Sequence, residues 1–180
     1  MEVKRYPTAY DTAELDGRSC LRAESRNSAS SLGTELHFDP NTHQRLSWDW
    51  RVDQLVEGEA LARKDDSDAA AWVYVYFKTP GLPWRQRSLD YVWSSALPKG
   101  TRMHSAYSSR SKIIVVESGS ASVGTWQHVE RNLQEDYRQA FGEDPTDVVA
   151  ISLMTDTDNT GGHAVAYFDE LQIGAWLSKP

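Results

Sequence analysis

The feature that most constrains the fold is the stretch 148–174, VVAISLMTDTDNTGGHAVAYFDELQIG. Two apolar runs flank Asn159, Thr160, Gly161 and Gly162, a cluster of turn formers. In the first run Val149, Ile151 and Leu153 alternate with Val148, Ala150, Ser152 and Met154. In the second, Val165, Tyr167, Leu171 and Ile173 alternate with Ala164, Ala166, Phe168, Glu170 and Gln172. Strand side chains point to opposite faces with period two, so each bulky set is expected on the core face of a closing β-hairpin. Asp156 and Asp158 then follow Met154 onto the other face as a surface carboxylate pair, roughly 6.5–7 Å apart. Asp169 falls between Tyr167 and Leu171 on the core face, where a carboxylate needs a partner or a cation.

The same alternation recurs along the chain. Residues 1–17 are polar and read as a lead-in ending in an Asp16-Gly17 turn. Strands are predicted at 18–25, 31–38, 45–53, 70–78, 89–94, 112–117 and 125–132. The clearest is LSWDWRVD, with Leu46, Trp48, Trp50 and Val52 on one face. In AAWVYVYFK, Ala71, Val73, Val75 and Phe77 suit a core, which leaves Trp72, Tyr74 and Tyr76 as an aromatic row opposite. A one-sided sandwich strand would be polar there, so the row calls for a covering loop or a ligand. Leu133, Tyr137 and Phe141 at four-residue spacing, stopped by Gly142, predict one helix. Many short strands with one short helix make a single all-β domain over 1–180, an antiparallel β-sandwich of jelly-roll type. Trp48, Trp50, Val73, Val75, Ile151, Leu153, Leu171 and Ile173 are the expected core.

Composition narrows the function. Net charge is −7, with 26 acidic against 19 basic residues, which argues against nucleic acid as partner. No apolar run approaches the roughly 20 residues of a membrane span. The single Cys20 excludes an internal disulfide and a cysteine zinc site. The five histidines lack metal-protease spacing, and no phosphate-loop, dinucleotide or nucleophile-elbow motif occurs. Seven Trp and eight Tyr supply rings for a core and for stacking on sugars.

The candidate ligand-binding set is therefore Trp72, Tyr74, Tyr76, Trp84, Asp66, Asp156, Asp158 and Glu170. Trp84 tips the loop TPGLPWRQR, and Asp66 belongs to the acidic run before the aromatic strand. Aromatic rings suit the C–H faces of sugars, and carboxylates accept from hydroxyls. The leading expectation is a non-catalytic module for a saccharide. The alternative is a polysaccharide hydrolase or lyase using Asp156, Asp158 or Asp49, with Asp66 and Glu170 behind them. A third is an envelope protein without a small ligand.

The segments GRSCLRAESRNSASSL, LSWDWRVD, DDSDAAAWVYVYF, YVWSS, LMTDTDNTG and AYFDELQIG resemble a bacterial family known as domain of unknown function 3047, from about Gly17 to Ile173. Its members are usually exported. The resemblance thus implies a periplasmic or secreted protein, with Met1 standing in for a removed leader. More loosely, the order of elements is similar to galactose-binding-like jelly rolls, including carbohydrate-binding modules. That resemblance implies a structural calcium at Asp169, with Glu24 and Asp39 as companions.

Overall fold

The computed structural model describes residues 7–79 and 85–176. Alternation builds eleven strands, β1 (Ala9–Leu15), β2 (Arg18–Arg26), β3 (Ala29–Phe38), β4 (Arg45–Gln54), β5 (Ala71–Phe77), β6 (Arg87–Ser94), β7 (Arg102–His104), β8 (Ser111–Ser118), β9 (Gln127–Asn132), β10 (Val148–Asp156) and β11 (His163–Gly174). One helix, α1 (Leu133–Phe141), lies between β9 and β10. Two sheets pack face to face: β1-β2-β11-β4-β9 and β3-β10-β5-β6-β8-β7. The expected all-β sandwich is present. Its pairing is antiparallel except for β6 and β8, which run parallel because the chain between them crosses to lay β7 along the far edge of β8. No helix among the described residues is long and apolar enough to cross a membrane.

The core lies between the sheets. Leu46, Trp48, Trp50 and Val52 from β4 face Val73, Val75, Tyr91 and Trp93, all fully buried. The Trp48 ring lies 5.4 Å from Tyr91, and Trp50 lies 5.9 Å from Trp93, so the rings lock one sheet to the other. The helix closes one end, its Tyr137 ring 4.6 Å from Phe77. Its boundaries follow local chemistry. The Asn132 side chain accepts from the Glu135 N–H, and Gly142 adopts φ 76°, the left-handed geometry of a helix stop.

Three expectations fail for identifiable reasons. Residues 9–15 form an edge strand, turned into β2 by Asp16 and Gly17, both at positive φ as a two-residue hairpin turn requires. β10 and β11 do not form a hairpin with each other. β10 lies between β3 and β5, whereas β11 lies between β2 and β4, so the turn after Asp156 carries the chain from one sheet to the other. The inward set of β11 is also reversed. Ala164, Ala166 and Phe168 join the core, while Leu171 is 38% exposed. The tryptophans already fill the space, so alanine is what fits beneath them. A β-bulge between Asp169 and Gln172, with Glu170 at φ 52°, then shifts the parity and returns Ile173 to the core edge.

Candidate functional site

The outer face of the six-stranded sheet carries a second apolar cluster, Leu61, Ala69, Trp72, Val92, Ile113 and Val115, packed by Tyr74 and Met154. The loop between β4 and β5 supplies Leu61 and Ala69. It is pinned by buried Glu59, whose carboxylate accepts from the Ser94 hydroxyl and from the Ser95 N–H at 2.7 Å. Trp72, Tyr74 and Tyr76 stack along β5, with centroids 5.5 and 6.1 Å apart and planes within 19° and 16°. The rings therefore face one another, and Trp72 is 3% exposed. The row is mainly an outer core layer; Tyr74 alone of the half-buried pair Tyr74 and Tyr76 borders the cleft beside it.

That cleft has a volume of about 380 Å³. Trp72, Tyr74, Asp90, Tyr107, Asp156 and Asp158 line it, with Ser105, Ser111 and Asn159. Asp156 is brought in by strand alternation, and it is buried rather than superficial. Its Oδ1 accepts from the Ala69 N–H at 2.9 Å and from the Trp72 indole N–H at 2.8 Å. Burial pushes its carboxyl up to about 8, helped by Asp68 and Asp158. Asp90 sits on β6, directly across from Tyr74. It is 3% exposed, its Oδ1 has no hydrogen-bond partner among the described residues, and burial pushes it up to about 7. The Tyr74 hydroxyl is held well above its ordinary range by burial, then by Asp156 and Asp90. At the rim Tyr107 is 55% exposed, and its hydroxyl donates to the Lys64 carbonyl at 2.8 Å.

Asp68, Asp156 and Asp158 bring carboxylate oxygens within 4.8 Å of one another, a spacing a hard cation can bridge. Asp68 also has a structural task. It accepts from the N–H groups of Asn159 and Thr160, the latter at 2.6 Å, and so holds the turn between the sheets.

The other expected residues lie elsewhere. Asp66 occupies a single 3-10 turn, ion-paired with Arg63 at 3.2 Å, and it is Asp68 that comes beside Asp156 and Asp158. Trp84 lies outside the described residues. Asp49 is on the outer face of the other sheet, 2.6 Å from Arg18 and 2.7 Å from His128. Burial pushes its carboxyl up, but these two partners outweigh it and hold it below the ordinary range. Glu170 forms the bulge on that same sheet.

The calcium set does not converge. Glu24 pairs in register with Val165, four residues and about 13 Å along β11 from Asp169, and Asp39 follows β3 in the other sheet. Each carboxylate already has donors. Arg22 and His163 hold Glu24 down at about 2, the Asn41 N–H and amide serve Asp39, and Asp169 accepts from the Glu170 N–H with Arg18 3.8 Å away. With Phe168 inward, alternation puts Asp169 on the outer face beside Asp49, which removes the reason for a buried cation there, and these residues do not fit one.

Residues 1–172 match the family model "Protein of unknown function (DUF3047)". The chain belongs to this family. No curated protein matches it. Among solved structures it is similar to a family 30 carbohydrate-binding module, at 15% identity and a TM-score of 0.45, covering 94% of this chain and 83% of that one. It is also similar to the xyloglucanase domain of NopAA, a type three effector from Sinorhizobium fredii, in complex with cellobiose. There the identity is 7% and the TM-score 0.48, covering 96% of this chain and 94% of that one. Two cleft residues have no counterpart among the expected ones. Asp90 was hidden because only the β5–β6 register shows that it neighbours Tyr74. Tyr107 was hidden because it sits in an irregular loop without periodicity.

Proposed function

We propose that this family member binds a saccharide in the cleft on the outer face of the six-stranded sheet. The observation that supports it is the meeting of one exposed ring, Tyr107, with three carboxylates, Asp90, Asp156 and Asp158, in a single open cleft. Sugars present hydroxyl donors beside apolar C–H faces, and this wall offers acceptors beside an aromatic face. The test is calorimetry against a panel of neutral, acidic and amino oligosaccharides. Binding is expected from at least one class, weakened at least tenfold by Tyr107→Ala. No binder tighter than millimolar would overturn the reading.

One observation favours catalysis as a second reading. Asp90 and Asp156 share the cleft, and both hold their protons toward neutral pH, as a general acid must. Release of reducing ends from a polysaccharide, lost in Asp90→Asn and in Asp156→Asn, would establish it; intact polysaccharide after prolonged incubation would leave a binding module.

A further inference from the structure

The ionisable side chains that line the cleft are all acids. The Tyr107 hydroxyl and the Asn159 side-chain amide both donate to the Lys64 carbonyl at 2.8 Å, and the Trp72 indole donates to Asp156. Ser105 and Ser111 add neutral hydroxyl donors to the wall. No Lys, Arg or His lines the cleft among the described residues. Lys64 approaches the rim only, 6.0 Å from the Tyr107 ring centre. Within the wall Asp90 is 3% exposed with Oδ1 unpartnered. Buried acceptors are nearly always satisfied, so an orphan on a cleft wall marks the place of an incoming donor.

A hydroxyl can satisfy one oxygen but brings no positive charge to favour ionisation of Asp90 and Asp156, whose carboxyls burial keeps protonated toward neutral pH. An ammonium group brings three donors, no acceptor and a positive charge, and it is also attracted to aromatic faces. An anionic sugar meets the opposite field.

We propose that the cleft selects an amino sugar, with Asp90 accepting from its ammonium group beside Asp156 and Asp158. This rests on the saccharide reading above. It adds the class of saccharide and a specificity-determining residue.

The experiment is calorimetry on the full chain with a glucosamine oligomer, its N-acetylated counterpart, a cello-oligosaccharide, spermidine and calcium chloride. The glucosamine oligomer is expected to bind at least about tenfold more tightly than the acetylated one, and its affinity should fall with added salt. Asp90→Asn keeps the shape of the side chain, so the melting temperature should hold while the preference for the free amine is lost. Asp158→Asn, at the more exposed end, should weaken the same preference. Equal binding of the charged and acetylated oligomers would overturn the amino-sugar proposal and leave the saccharide reading standing. Spermidine binding with no oligosaccharide bound would overturn both. So would calcium binding alone, which would assign the acidic end to a metal.

Discussion

The Trp72 indole N–H donates to Asp156 Oδ1 at 2.8 Å and ties the aromatic row of β5 to the last residue of β10. Among the described residues the other donor to that oxygen is the Ala69 N–H. Trp72→Phe keeps most of the ring and removes the donor. The expected cost is about 1–3 kcal/mol, for a buried acceptor left short of a partner. The cost should grow above about pH 8, where the carboxyl ionises in the folded protein. Denaturant unfolding of both proteins at pH 6 and pH 9 measures the difference, and an identical cost at the two pH values would show that the indole is packing alone.

The buried carboxyls set the sign of the pH dependence. Asp90 and Asp156 are raised from 3.8 to about 7 and about 8, so above pH 3.8 the folded state holds protons that the unfolded state has released. Their contribution to stability is full below pH 3.8 and is lost as pH rises through about 7 and 8. Glu24 acts the other way. Lowered from 4.5 to about 2, it stabilises above pH 4.5 and ceases to as pH falls toward 2. The melting temperature should therefore peak in mildly acid solution and decline toward pH 8. A scan of the Asp90→Asn, Asp156→Asn double variant should lose the decline on the alkaline side; a decline unchanged in the variant would place its origin elsewhere.

Legibility in the chain tracked whether a signal was local. β4 was readable because Leu46, Trp48, Trp50 and Val52 leave one possible inner face. The helix was readable because Leu133, Tyr137 and Phe141 recur at four-residue spacing and Gly142 stops it. β11 was misread because side-chain size was taken as a guide to the core, whereas three tryptophans and Tyr91 had already filled the space and left room for alanine. The bulge at Glu170 is equally invisible, since nothing in DELQ announces a parity change. At the site, Asp156 and Asp158 followed from period two. Asp90 and Tyr107 reach the same cleft, and Asp68 comes beside Asp156 and Asp158, only through cross-strand register and loop packing, which alternation does not encode.

Asp136 offers a test of the end of the sandwich closed by α1. It is 2% exposed, and it accepts from the Tyr91 hydroxyl at 2.9 Å, from Arg102 at 2.7 Å and from Arg131 at 2.6 Å. Burial pushes its carboxyl up, but the two arginines outweigh this and hold it low. Asp136→Ala leaves the Tyr91 hydroxyl and part-buried Arg131 without their acceptor. The expected loss is about 3 kcal/mol, with a smaller one for Asp136→Asn. Urea unfolding at neutral pH measures it, and a loss under about 1 kcal/mol would mean that water replaces the carboxylate.

The bulge of β11 separates backbone strain from function. Glu170 holds φ 52°, a region that costs a non-glycine residue roughly 1–2 kcal/mol, and its side chain accepts from the Gln172 amide at 2.8 Å. Glycine takes this conformation freely but adds entropy to the unfolded chain, which offsets part of the gain. Glu170→Gly should therefore stabilise by about 0.5 kcal/mol, read as a small rise in melting temperature. Glu170 sits on the five-stranded sheet and the cleft on the six-stranded one, so oligosaccharide affinity should be the same in the variant and the parent. A fall in stability would show that the Gln172 contact outweighs the strain. A fall in affinity would move the binding face to the opposite sheet and sink the cleft assignment.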